Sequence, residues 1–157
     1  MNSQTLINGL RGDSAHVNPS NVFEELDWET AGETIERSPY TVWELIWHMN
    51  YWQRFLLELI QGKEPVYPEH SDESWPRNKM PQSKAEWDEE VSRFTNDVKI
   101  AEEECEKDLN EMCSTDNTTR QSLLMDLVIH NSYHGGQVVL LRRQLGSWPP
   151  PSGGDTW

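Results

Sequence analysis

From residue 42 onward the apolar positions fall three and four apart: Val42, Leu45, Ile46, Met49, Trp52, Leu56 and Ile60. At that period side chains stack on one face of an α-helix, so the stretch predicts a helix over 39–61. Its start is either Ser38-Pro39 or Thr41 with Glu44 as a capping box, and Gly62 stops it. A second stripe, Trp87, Val91, Phe94, Val98, Ala101, Cys105 and Leu109, predicts a helix over 83–109, opened by a capping box of Ser83 and Glu86. A third stripe runs Leu123, Leu127, His130 or Asn131, His134, Val138, Leu141 and Leu145, and predicts a helix over 119–145 closed by Gly146. No stretch alternates convincingly in the manner of a strand.

The N-terminal region is less regular. Leu6, Ile7 and Leu10 predict a short helix over 4–10, ended by Gly12. Asn18 as N-cap with Pro19 at the first helical position starts another piece, with Val22, Phe23 and Leu26 inward. The first arm is thus broken in two, with His16 in the joint. Residues 62–82 hold four prolines, a density that no helix survives. A connection that long either carries function or crosses from one end of a bundle to the other. The expectation is one all-α domain over residues 1–157, a four-helix bundle with a long crossover loop between its second and third helices.

Charge narrows the partners. With 13 basic and 27 acidic residues the formal net charge is −14, which disfavours nucleic acid and anionic membranes. Arg142-Arg143, the one basic cluster, reads as a helix C-terminal cap. Glu89, Glu90, Glu102, Glu103, Glu104 and Glu106 read as a solvated face. No apolar run is long enough for a membrane span and no signal-peptide pattern opens the chain, so a cytoplasmic protein is expected. Cys105 falls on an apolar stripe and reads as a small buried hydrophobe, and the two cysteines form no Cys-x-x-Cys pair. Eight tryptophans are many for 157 residues, and several lie in proline-rich stretches, as the walls of a pocket or an interface would.

Candidate chemistry lies with the histidines. His130 and His134 are one helical turn apart on an inward face, and His48 lies beside Leu45, Met49 and Trp52 on another. A buried polar group without a partner costs about 1–3 kcal/mol. Two accounts are open: the imidazoles hydrogen-bond across the bundle, or they converge on a divalent metal and leave its fourth position free. Asp126 and Glu44, each one turn ahead of a histidine, are either surface acids or carboxylates that orient a ligand. Gly135 and Gly136 each cost a helix about 1 kcal/mol relative to alanine, which close helix packing or clearance beside a metal would explain. His16 either approaches the site or stays at the joint; His70 lies in the proline-rich loop, exposed. No serine–histidine–acid pattern, phosphate loop or dinucleotide fingerprint competes.

Two segments carry a family likeness: SPYTVWELIWHMNYWQ at 38–53 and HNSYHGGQVVLLRRQLGSWPPPSGGDTW at 130–157. In them, and in the long loop between, most of the chain resembles the DinB-like proteins, the metal-binding superfamily that includes the YfiT-type proteins. The resemblance implies an up-down-down-up helix order and a three-histidine divalent-metal site, here His48, His130 and His134; zinc or nickel is the ion expected, since both suit imidazole ligands. It also implies a homodimer. Related proteins include thiol transferases that use mycothiol or bacillithiol, and others proposed as metal-dependent hydrolases. The expectation is a metal-dependent thiol S-transferase acting on a small molecule with a low-molecular-weight thiol. A metal-dependent hydrolase and a non-catalytic metal-binding stress protein are the alternatives. Trp47, Trp52 and Trp148 or Trp157 are expected to wall the pocket.

Overall fold

The computed structural model describes residues 2–13, 15–114 and 116–154, and among them the protein is helical with no sheet, only an isolated bridge between Met112 and Thr119. The helices are α1 (Ser3–Arg11), α2 (Trp28–Ala31), α3 (Val42–Ile60), α4 (Lys84–Cys105) and α5 (Arg120–Gln144). The long α3 packs against both α4 and α5, and α1 closes the bundle by lying on α4 and α5. Among the described residues no helix is long and apolar enough to cross a membrane.

Capping chemistry sets the helix starts. Thr41 accepts from the Glu44 N–H while the Glu44 carboxylate accepts from the Thr41 N–H at 2.8 Å, the reciprocal box, so α3 begins after Thr41 rather than at Ser38-Pro39. At α4 the box is incomplete: Ser83 caps the Glu86 N–H, but the Glu86 carboxylate accepts from Gln82 instead. The end of α4 falls at Cys105, four residues short of the expected Leu109. Beyond it the carbonyls of Asp108, Leu109 and Glu111 accept from Arg120 and Gln121, which turns the chain aside.

The first arm departs further from expectation. Asn18 and Pro19 do start a turn, Asn18 accepting from the Ser20 N–H at 2.9 Å, but it is a single 3₁₀ turn, Pro19–Asn21. The reason lies across the molecule. The Arg142 guanidinium, 2% exposed, takes the carbonyls of Val22 and Glu24 at 2.8 and 3.0 Å, so those oxygens are not available to a helix ladder. Glu25 then adopts φ 48°. Val22, Phe23 and Leu26 are buried nonetheless.

The core forms two apolar clusters. One gathers Phe23, Trp43, Ile46, Phe94 and Val138; the other gathers Leu6, Leu10, Phe55, Leu124 and Leu127. Polar side chains mark the level at which they meet. Asn131 donates to Gln53 at 2.7 Å, and Gln53 donates to the Phe94 carbonyl at 3.0 Å, linking α5, α3 and α4. The acidic side of α4 is not wholly solvated: Glu90 and Glu104 are 6% and 3% exposed. Asn50 and Arg93 hold Glu90, and Arg120 and Lys107 hold Glu104. Periodicity misses both because neither is apolar, and a buried charge persists only where it is paired.

Candidate metal centre

Three side chains converge at that polar level. His48 from the first half of α3 meets His130 and His134 from the middle of α5, and one ligand atom of each lies within 4.8 Å of the others. His48 and His134 are buried and His130 half-buried. The shortest approach, His48 Nε2 to His130 Nε2, is 3.4 Å. Two nitrogens on a tetrahedral ion at about 2.05 Å would stand about 3.3 Å apart, so this pair already has the spacing of co-ligands.

The remaining ring nitrogens fix which atoms face inward. His48 Nδ1 lies 3.0 Å from the Ser74 carbonyl, and His134 Nδ1 lies 2.7 Å from Gln137 Oε1. Both partners are acceptors, so each Nδ1 carries the proton and each Nε2 presents a bare lone pair. The His48 lone pair faces His130 Nε2 at 3.4 Å, a gap that a proton on His130 or a shared cation can fill. Burial holds all three imidazoles neutral: it pushes His130 down to about 3 and His48 to about 4, and it lowers His134 as well. Neutral imidazoles, two of them with the tautomer set from behind, are the donor set that a divalent ion of borderline softness takes. The residues fit the group.

The proline-rich loop supplies the support. Its 3₁₀ turn, Ser71–Ser74, is closed by Ser74 Oγ donating to the Ser71 carbonyl, and it delivers the Ser74 carbonyl to His48. Trp75 follows and lies flat on His48, ring centroids 3.9 Å apart; Tyr40 covers its other face at 4.0 Å. Thr41 Oγ1 and Trp43 Nε1 donate to the carbonyls of Lys79 and Asn78, tying the loop to the start of α3. The ring orientation of His48 is therefore set on one side by a hydrogen bond and on the other by a stack.

Several expectations change here. Among the described residues the indole at the histidines is Trp75, and not the expected Trp47, Trp52 or Trp148. Trp47 stacks on Tyr51 and lines a separate groove with Arg54, Glu90 and Arg93. Trp52 packs into the second core cluster against Tyr51 and Phe55. Trp148 takes the Arg142 guanidinium over its ring at 5.6 Å, and Trp157 lies outside the described residues. Glu44 is spent on the cap, and Asp126 is exposed, so neither orients a ligand. His16 bonds Ser132 instead of joining the cluster, and His70 is exposed as expected. Gly135 and Gly136 line a cavity beside His16; a Cβ at either would meet no atom within 4 Å, which rules out close packing as their reason.

Sequence reasoning missed Ser74, Trp75, Tyr40 and Gln137. Ser74 acts through its main chain and leaves no trace in residue identity. Gln137, three residues after His134, had a signal in its helical spacing.

No curated protein and no solved structure matches the chain significantly. The family model described as the DinB family matches residues 17–154, a span that takes in the loop and all three histidines. A match over that much of the sequence, meeting a histidine cluster of this geometry, establishes that the chain belongs to the DinB family.

Proposed function

We propose that the protein binds one divalent ion, zinc or nickel, through Nε2 of His48, His130 and His134, and works as a metal-dependent thiol S-transferase on a small molecule. The observation that carries the reading is the set of three neutral imidazoles with two tautomers locked from behind. When bound, such an ion supplies Lewis acidity at its open position, enough to ionise a thiol or a water near neutral pH. The chain's own part is to hold the ligands in one orientation and to keep them unprotonated. Among the described residues no carboxylate side chain is placed to bond the histidines, which favours thiol transfer over hydrolysis, since a thiol once ionised needs no further base. With the family reading comes the up-down-down-up helix order, to which the long loop between α3 and α4 is suited.

The test is conjugation of a model electrophile by low-molecular-weight thiols, with metal-loaded and metal-stripped protein side by side. Metal-dependent conjugation that is lost in His48→Ala is the expected result. Metal-dependent ester or amide cleavage without thiol transfer would replace the reading with a hydrolase. Stoichiometric metal with neither reaction would make it a metal-binding stress protein.

A homodimer belongs to the same proposal. Ile129, Tyr133 and Leu140 are 59%, 65% and 57% exposed and fall on one side of α5. An apolar stripe of that kind on one helix suits burial against a second copy. Sedimentation should give about twice the 18.3 kDa chain mass, and Ile129→Glu with Leu140→Glu should return it to a single chain. A wild-type species of one chain at micromolar concentration would end this part of the proposal.

A further inference from the structure

On another flank of α5 a second pair of side chains meets that the metal centre does not use. His16 Nδ1 lies 2.8 Å from the Val17 carbonyl, which can only accept, so Nδ1 carries the ring proton and Nε2 holds the lone pair. That Nε2 lies 2.9 Å from Ser132 Oγ, so the serine hydroxyl donates to it. A general base stands in this relation to a nucleophilic hydroxyl, with a main-chain carbonyl in the orienting position that a carboxylate takes elsewhere.

The surroundings are built for the pair. Gly12 adopts φ 71°, and a Cβ there would lie 2.5 Å from His16 Nδ1, so the imidazole reaches its place only over a glycine. Beside the pair is a cavity of about 130 Å³ walled by Val17, Pro19, Val22 and Val139. Gly135 and Gly136 border it, and a Cβ at either would meet no atom within 4 Å. A histidine–serine hydrogen bond that served only to fasten the N-terminal arm would need no such space.

We propose that Ser132 is an acyl-accepting nucleophile activated by His16, and that it takes short acyl esters or thioesters whose acyl group enters this cavity. In the step, Ser132 Oγ bonds to the acyl carbon and the carbon–oxygen or carbon–sulfur bond to the leaving group breaks. The Ser132 proton passes through His16 Nε2 to the departing alkoxide or thiolate. The products are an ester at Ser132 and a free alcohol or thiol; water entering by the same path then releases the carboxylic acid. Ser132 lies in the middle of α5, where main-chain N–H groups are engaged in the helix, so the site suits activated acyl groups rather than amides. Nothing in the step requires the three-histidine cluster.

The experiment uses p-nitrophenyl acetate with the full chain stripped of metal by a chelator, followed by peptide mapping. One acetyl group should appear on Ser132, and none in Ser132→Ala. His16→Gln, which keeps a hydrogen-bonding side chain but removes the base, should slow acetylation about a hundredfold, with far-UV circular dichroism confirming that the helices persist. The wild-type chain loaded with zinc should acetylate Ser132 at the rate of the metal-stripped chain, which separates this site from the metal centre. Acetylation spread over other residues, or no faster on Ser132 than in the urea-unfolded chain, would overturn the proposal. So would an unchanged rate in His16→Gln, or acetylation of Ser132 that depends on added zinc.

Discussion

Replacing His134 by alanine should reduce bound metal from about one ion per chain to about a tenth of that or less, since two imidazoles alone hold a divalent ion poorly at neutral pH. Far-UV circular dichroism should barely change, because the two apolar clusters do not depend on the histidines. Gln137→Leu separates ligation from orientation. It leaves all three ligands but removes the acceptor that holds the proton on His134 Nδ1. Loss of a supporting partner of this kind weakens metal affinity by about ten- to a hundredfold. Elemental analysis after dialysis, with a competitive chelator for the affinities, reads both variants. Unchanged metal content in His134→Ala would end the three-histidine assignment, and unchanged affinity in Gln137→Leu would end the orienting role of the amide.

The long helices and the three ligands are legible because both depend on period. Apolar residues at three and four apart mark α3, α4 and α5, and the histidines fall on those stripes, where an imidazole is out of place unless something takes its lone pair. What is not legible depends on long-range partners. Nothing near Val22 or Glu24 signals that Arg142, over a hundred residues away, will claim their carbonyls and leave the second part of the first arm as a turn. Glu90 and Glu104 look like their solvated neighbours until Asn50 and Arg120 are brought against them. The role of the proline-rich loop is hidden for a related reason. Its decisive contact is a carbonyl, identical in every residue, and its tryptophan is one of eight. His16 and Ser132 lie 116 positions apart and become a pair only when the arm folds onto α5.

Arg120→Ala should destabilise the fold strongly although it removes no part of the apolar core. Its side chain is 6% exposed and bonds the carboxylates of Glu104 and Glu111 together with the carbonyls of Asp108 and Ile60. Truncation would leave the Glu104 carboxylate, on a buried side chain, with Lys107 as its one remaining charged partner among the described residues. Breaking a buried pair by removing one side costs about 3–5 kcal/mol. For a chain of this length that is a fall of about 10 °C in the thermal midpoint. The same truncation at Arg37, whose ion pair with Glu36 is 91% and 89% exposed, should shift the midpoint by no more than about 2 °C. A double variant, Arg120→Met with Glu104→Leu, should recover part of the loss, because replacing both members of a buried pair with apolar side chains removes the uncompensated charge. Metal content should stay at the wild-type level in all three, since the network joins the start of α5 to the end of α4 and does not touch the histidines. A midpoint for Arg120→Ala within about 2 °C of wild type would show that the carboxylates find water once the arginine is gone, and that the network holds no more of the fold than a surface pair.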